Sequence, residues 1–392
     1  MQKFIYKTDP SCSKTFIYGY GFTGKWLTVN IDKKVDGFID TDIKKRGENF
    51  NGIKVYGYED AKEILDDNSE VIVAAVDIFD VMPRLNKLKK KKVVAIGTLF
   101  NDEKVENNPT DELDSYIEYS LKTVEYSHKN YLDKNKLFIR SLDLVITERC
   151  SLKCIDCSNL MQYYKSPKNM DFENIKKEMD TLLNRFDLIN EIRLIGGEPF
   201  MNKQIYEIIE WLCKIEKIDK IVIYTNATIP LKEQYKNILK NEKVIFSITD
   251  YGNLSKNTQK VQNFLDEYSI SYRIHKPEYW TDSGRVVVPK KDKSVDELKV
   301  FFEDCCAKNL YTVLGDRIYR CPFVANADNL KAIPEDDKNF VSIYAPKNEI
   351  KHHLYETDYL PGCNFCKGRS FDSIEIKPAI QTKEVLNFKK LK

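Results

Sequence analysis

The chain has 392 residues, and its 62 Lys and Arg stand against 60 Asp and Glu, a formal net charge of +2. A balance so even gives no overall attraction to nucleic acid or to an acidic membrane, and no apolar run approaches the roughly 20 residues that a membrane helix needs. The first ten residues lack the apolar core and small-residue cleavage site of a secretory signal. The reading is therefore a cytoplasmic chain of two or three domains, whose ten cysteines serve metal binding rather than disulfides.

Residues 1–100 alternate strand and helix signals, with apolar strands at 15–18, 37–39, 71–76 and 93–96 and a helix starting at 25–29. Between the last two strands Val81, Leu85 and Leu88 recur at helical spacing. This pattern predicts a Rossmann-like parallel sheet. Gly19-Tyr-Gly21-Phe-Thr-Gly24 follows the first strand and opens the first helix, which is the setting a dinucleotide fingerprint requires. A bound nucleotide or nucleotide-sugar, with Asp40 or Asp42 at a ribose hydroxyl, is one reading; a glycine turn that only packs is the other. Hydride chemistry with NAD is a lesser alternative. The phrase Gly37-Phe-Ile-Asp40-Thr-Asp42, followed by Asn51-Gly52-Ile53-Lys54-Val55-Tyr56, resembles the small Rossmann-like domains attached to bacterial sugar-modifying enzymes. That likeness points to surface carbohydrate.

Residues 101–136 read as a connector helix, with Leu113, Ile117 and Leu121 on one face. From 137 to 300 strands are expected at 142–146, 191–195, 220–224, 244–248 and 271–274, and helices at 172–185, 204–214, 231–239 and 258–267. Each polar motif here comes just after a strand: Cys150-Ser-Leu-Lys-Cys154-Ile-Asp-Cys157, then Gly196-Gly197-Glu198-Pro199, Thr225-Asn226 and Thr249-Asp250. In an α/β barrel those positions share the active face. With ten cysteines in 392 residues, a chance occurrence of the triple spacing is under about 1%. Thiolates hold iron in Fe–S clusters, four usually completing a [4Fe-4S] site, so three local cysteines leave one iron for an external ligand. A structural zinc site is the competing reading of the same spacing.

The cysteine run and the Gly196–Pro199 segment resemble the radical S-adenosylmethionine (SAM) superfamily. The resemblance implies a partial (β/α)6 barrel over 137–300, in which Cys150, Cys154 and Cys157 ligate a [4Fe-4S] cluster and SAM chelates its open iron. It further implies that Gly196, Gly197, Glu198 and Pro199 receive the SAM amino group, that Asn226 and Ser247 reach the rest of SAM, and that reductive cleavage gives a 5′-deoxyadenosyl radical. A one-electron donor such as flavodoxin or ferredoxin is the implied partner. Many members carry an aromatic residue before the third cysteine; Asp156 stands there in this chain, which alters packing around the adenine without removing a ligand.

Residues 301–392 hold Cys305, Cys306, Cys321, Cys363 and Cys366. Gly315-Asp316 is a turn signal between two β-prone runs, the second ending at Cys321, and Cys363 and Cys366 form a CxxC. The tail resembles the shortened SPASM domain, or twitch domain, which implies an auxiliary [4Fe-4S] cluster on Cys321, Cys363, Cys366 and one of the adjacent pair, here assigned to Cys305. Zinc is again the competing metal. Cys306 is then a candidate catalytic thiol that returns hydrogen to a substrate radical, with spare packing as its alternative. Cys12 and Cys213 read as ordinary buried residues, and His275, Trp280, Asp282 and Arg285 as candidates for lining a polar pocket.

The resulting expectation is an oxidoreductase or isomerase that abstracts hydrogen from a polar substrate, foremost a nucleotide-linked or surface-polysaccharide sugar. Maturation of a ribosomally made peptide and non-catalytic binding of a nucleotide sugar by a metal-stabilised scaffold are the alternatives.

Overall fold

The computed structural model describes residues 9–88, 92–99, 109–110, 112–133 and 135–388. The chain divides into two compact units, Met1–Arg140 and Ser141–Lys392. Among the described residues no helix is long and apolar enough to cross a membrane.

In the first unit the chain runs β1 (Lys14–Tyr18), α1 (Phe22–Asn30), β2 (Gly37–Asp40), β3 (Asn49–Phe50), β4 (Ile53–Gly57), α2 (Tyr58–Ile64), β5 (Ser69–Val73), α3 (Ile78–Asn86), β6 (Lys92–Ala95) and α4 (Asp114–Leu132). The strands lie in the order β3-β4-β2-β1-β5-β6, parallel except for the β3–β4 hairpin. Successive strand side chains point to opposite faces, so Ile17 joins one apolar cluster with Trp26 and Phe38, while Phe16 and Tyr18 join another with Val71 and Leu85. A sheet covered on both faces is what near-continuous apolar strands produce.

The winding reverses at β1, the place where doubly wound sheets bind ligands. Gly19 there has φ +111°, and a Cβ on it would stand 3.0 Å from the Ala75 nitrogen. A Cβ on Gly24 would overlap the Gly19 carbonyl, whereas Gly21 faces open space. Asp40 accepts from the Tyr20 and Asp42 amides at 2.8 Å each and pairs with Lys45 at 3.1 Å. Asp42 caps the next turn through the Lys44 amide. Both acids proposed for a ribose thus hold the local backbone.

The helix read as a connector is part of this unit's core: Ile117, Leu121 and Val124 pack with Trp26 and Ile72. Positions 101–108, read with it, lie outside the described residues. The helix approaches so closely that a Cβ on Gly97 would stand 2.6 Å from the Val124 carbonyl oxygen. His128 on α4 accepts from the Gly97 amide at 2.9 Å through Nδ1, so its proton sits on Nε2, 2.8 Å from the Ala75 carbonyl. Burial holds the imidazole neutral, its pKa lowered from 6.5 to about 4.

The second unit contains β7 (Phe138–Thr147), α5 (Phe172–Leu183), β8 (Leu188–Gly196), α6 (Ile205–Cys213), β9 (Ile218–Thr225), α7 (Lys236–Leu239), β10 (Val244–Thr249), α8 (Thr258–Glu267), β11 (Ser271–His275) and β12 (Trp280–Thr281). It continues with α9 (Val295–Glu303), β13 (Tyr311–Leu314), β14 (Arg317–Tyr319), α10 (Pro322–Asn329), β15 (Phe340–Ser342), α11 (Lys347–Tyr355) and β16 (Glu375–Ile376). Strands β11-β10-β9-β8-β7 lie side by side in reverse chain order. Every strand–helix step therefore moves one place in one direction, the winding of a barrel rather than of a doubly wound sheet. Beside β7 the tail supplies β13, parallel to it, and then the antiparallel β14 and β15. The β13–β14 hairpin turns at Gly315, with φ +61°, as the Gly-Asp signal predicted.

The neutral state of His128 makes the first unit acid-sensitive. An unfolded histidine binds a proton below about pH 6.5 and the folded one only near pH 4, so stability is complete above the higher value and declines as pH falls through the interval, by about 3 kcal/mol. Hydrogen exchange of α4 from pH 7.5 to 4.5 is expected to show that decline. His128→Leu should flatten it, while exposing α4 at neutral pH by roughly 2 kcal/mol because two buried backbone groups lose their partners.

Candidate functional site

The carboxyl ends of β7 to β11 open on a cavity of about 450 Å³. Cys150, Cys154 and Cys157 line it together with Gly196, Gly197 and Asn226. The cysteine loop is held against the end of β8 by backbone contacts. Gly197 N–H donates to the Thr147 carbonyl at 3.2 Å and Glu198 N–H to that of Arg149 at 2.9 Å. A Cβ on Gly196, whose φ is +150°, would overlap the Thr147 carbonyl, and one on Gly197 would overlap Arg149 and stand 2.6 Å from Cys150 Cβ. Only glycine permits this approach.

Each of two thiols receives side-chain N–H: Cys150 from Asn226 Nδ2 at 3.8 Å, Cys154 from Gln381 Nε2 at 3.2 Å. The Leu152 amide adds a contact to Cys150 Sγ at 3.5 Å. Burial raises all three, Cys154 to about 11, and the charge of Cys157 adds to the rise at Cys150 and Cys154. Thiols so placed give up their protons only to a cation. The donor set fits an iron–sulfur cluster: three thiols on one wall, N–H groups aimed at sulfur, and no fourth cysteine in the cavity lining among the described residues.

Glu198 stands apart from the cavity. It is fully buried, accepting from Thr225 Oγ1 and the Asn226 amide at 2.8 Å each and from the Phe200 amide at 3.3 Å. Burial raises it to about 7, against the pull of those donors. Its visible work is to tie the loop after β8 to the loop after β9, and Pro199, also buried, starts the short turn behind it. Ser247 does not line the cavity; Thr249, two residues on along the same face of β10, does. Of the pocket candidates, His275 and Trp280 line it, whereas Asp282 pairs with Lys367 at 2.5 Å and Arg285 with Asp156 at 2.5 Å.

Several lining residues had no signal in the sequence. Tyr224, Tyr251 and Tyr279 form aromatic walls, and Tyr251 meets Trp280 edge to face at 5.6 Å. Arg369 reaches the cavity from the tail, its buried Nε without a hydrogen-bond partner among the described residues. Residues 379–382 run along the cysteine loop with an isolated bridge at Gln381: Ile155 N–H donates to the Ile380 carbonyl at 2.8 Å and Thr382 N–H to that of Lys153 at 2.7 Å.

In the tail, Cys305, Cys321, Cys363 and Cys366 come together: the charge of Cys305 raises the other three, and those of Cys321 and Cys366 raise Cys363. Burial is the larger cause, lifting Cys321 to about 12 and Cys366 to about 11. Backbone N–H of Ala307 and Gly368 point at Cys305 and Cys366 Sγ, at 3.4 and 3.1 Å. Cys306 is exposed, its amide bonded to the Arg369 carbonyl at 2.9 Å, and it is not in the cavity lining. Cys12 is buried in the first unit and Cys213 is half-buried at the end of α6.

Residues 144–254 match the family described as the Radical SAM superfamily. The second unit thus contains a radical SAM domain. Among curated relatives, a GTP 3′,8-cyclase from Clostridium acetobutylicum is 33% identical over 110 residues, 28% of this chain and 34% of its own. One from Syntrophomonas wolfei is 28% identical over 156 residues, 34% of this chain and 45% of its own. The chain spans about a third to under half the length of these relatives. Among solved structures, BtrN in complex with AdoMet and 2-DOIA has a TM-score of 0.40 at 18% identity, covering 64% of this chain and 98% of that one. Native anSMEcpe with bound AdoMet and Cp18Cys peptide has 0.38 at 14%, covering 58% and 82%.

Because Gly197 has no room for a side chain, Gly197→Ala is expected to push the cysteine loop from the end of β8. Anaerobically reconstituted variant should hold at most half the iron of the parent chain, by iron analysis, with its circular dichroism unchanged.

Proposed function

We propose that this chain is a radical SAM enzyme acting on a sugar that carries an anionic group, foremost a nucleotide-linked or polysaccharide sugar. The observation that carries the radical reading is the convergence of Cys150, Cys154 and Cys157 with Gly196 and Gly197 on one cavity wall. Zinc fits less well: it draws its donors around one ion, and among the described residues no group of three or more His, Cys, Asp or Glu is disposed to hold a single ion. A cluster takes one thiolate per iron.

When bound, a [4Fe-4S] cluster in this place supplies the electron that splits SAM into methionine and a 5′-deoxyadenosyl radical. The chain's own part is to hold and screen. The three thiolates bind, Asn226 orients toward Cys150, and the walls of Tyr224, Tyr251, Tyr279 and Trp280 keep water from the reacting groups. The same aromatic faces suit a sugar ring or a base. Among the described residues Arg369 lacks a hydrogen-bond partner for its buried Nε, and a guanidinium is the side chain best matched to phosphate or carboxylate. The Rossmann-like first unit supports the sugar assignment through its likeness to domains of sugar-modifying enzymes. The outcome proposed is oxidation or epimerisation after hydrogen abstraction. The tail cysteines Cys305, Cys321, Cys363 and Cys366 would hold an auxiliary [4Fe-4S] cluster, and flavodoxin or ferredoxin would supply electrons.

Reconstituted without oxygen, the protein is expected to release 5′-deoxyadenosine from SAM when dithionite is present, and Cys157→Ala to abolish the release. Iron-loaded protein that yields none would overturn the reading. Two clusters predict about eight irons per chain, falling to about four in Cys363→Ala.

For the substrate, nucleotide-linked sugars as a class are expected to stimulate that release. Arg369→Gln should raise the half-saturating concentration by roughly 10- to 100-fold, the worth of a lost charge-assisted pair, while SAM affinity stays the same. Equal stimulation of parent and variant would remove the anion from the proposal.

A further inference from the structure

The segment at residues 379–382 does more than cover the cysteine loop. Gln381 is paired with Cys154 across an antiparallel bridge, and its side-chain amide is held by three neighbours. The Lys153 amide donates to Oε1 at 2.7 Å, Nε2 donates to the Ala379 carbonyl at 2.8 Å, and Nε2 also donates to Cys154 Sγ at 3.2 Å. The first two fix which end of the amide is which. A backbone N–H must meet the oxygen and a carbonyl must meet the nitrogen, so the nitrogen faces the sulfur. Ala379, at φ +54°, makes the turn that presents Gln381, and it packs in an apolar cluster with Leu152 and Cys154.

We propose that Gln381 sets the reduction potential of the cluster held by Cys150, Cys154 and Cys157, by donating a hydrogen bond to the Cys154 sulfur; this rests on the radical reading given above. Reduction adds negative charge that spreads onto the ligand sulfurs. An N–H aimed at one of them stabilises the reduced state more than the oxidised one, and so raises the potential. The other side-chain donor, Asn226, stands farther off, at 3.8 Å from Cys150, while Cys150 also meets the Leu152 amide at 3.5 Å and Cys157 meets the backbone N–H groups of Asn159, Leu160 and Met161. Gln381 is also the donor contributed by a segment more than two hundred residues away in sequence, so that segment acts as a setting that the barrel lacks by itself.

The test is an EPR-monitored redox titration of anaerobically reconstituted full-length protein, following the signal that changes on addition of SAM. Two variants are compared with the parent. Gln381→Met keeps the length and removes the amide. Gln381→Glu keeps an acceptor for the Lys153 amide but loses the donor and adds charge. Both are expected to titrate at more negative potential with iron content retained, the glutamate further than the methionine. A purely structural strap would change iron content or stability and leave the potential of the remaining signal in place. Coincident potentials in parent and both variants overturn the proposal. Should the variants lose iron, the parent chain still decides: with glutamine labelled by ¹⁵N in its side chain, pulsed EPR of the reduced cluster is expected to show ¹⁵N coupling, and its absence overturns the proposal. A parent protein with no SAM-responsive signal overturns the radical reading and this inference together.

Discussion

The second unit depends on a contact between two backbones. At the ends of β7 and β8 the chains approach so closely that a methyl group on Gly196 or Gly197 would overlap the carbonyls of Thr147 and Arg149. Two N–H···O bonds replace the side chains that are missing there. The result is that the cysteine loop inherits the rigidity of the sheet, since its first residues are pinned to the neighbouring strand. Glu198 extends the same lock to the loop after β9 through Thr225 and Asn226. A buried carboxylate is unfavourable unless its oxygens are satisfied, and three protein donors meet that condition.

Below the cavity the interior of the sheet is charged. Arg193 on β8 pairs with Asp143 on β7 at 2.5 Å, both largely buried, and its guanidinium lies over the Tyr224 ring, 5.6 Å from the centroid. Glu191 lies on the same strand and burial lifts it to about 7. Such groups bring little net stability, because desolvation offsets the attraction. Their effect is positional: an arginine stacked on one face of Tyr224 leaves the other parts of the ring to form cavity wall. Removing one partner leaves a buried charge uncompensated, so the arrangement is hard to alter piecemeal.

The tail thiols sit against an apolar cluster: Cys321, Cys363 and Cys366 pack on Phe302, Tyr319, Phe323, Val324, Ile333 and Leu360. Cys321 stands just before α10, with Pro322 as the first helical residue, and Cys363 and Cys366 sit in a short turn that packs with Phe323, Val324 and Leu360. The turn then continues through Gly368, whose amide faces Cys366 Sγ, to Arg369, whose carbonyl takes the Cys306 amide. A four-thiol site and a cavity-lining guanidinium are therefore built from the same few residues.

Local pattern alone determined a good part of this protein. Apolar strands followed by glycine or cysteine motifs placed five of the second unit's parallel strands, and short-range spacing singled out Cys150, Cys154, Cys157 and the Gly196-Gly197 pair, because a tight loop and a close backbone approach demand those residue types locally. The Gly19–Gly24 turn was legible for the same reason, and so was the hairpin at Gly315. What the sequence left open depended on distance along the chain. Helical spacing identified Ile117 and Leu121 on the buried face of α4 but also named Leu113, which stands exposed just before the helix, and the choice between connector and core was made by Trp26 and Gly97. The preference for Ser247 over Thr249 overlooked how far β10 runs toward the cavity, and Glu198 turned inward because three donors await it there. Arg369 and Gln381 carry no local signature at all: an arginine reaching the cavity from the tail and a glutamine against a thiol acquire meaning only when folding brings remote segments together.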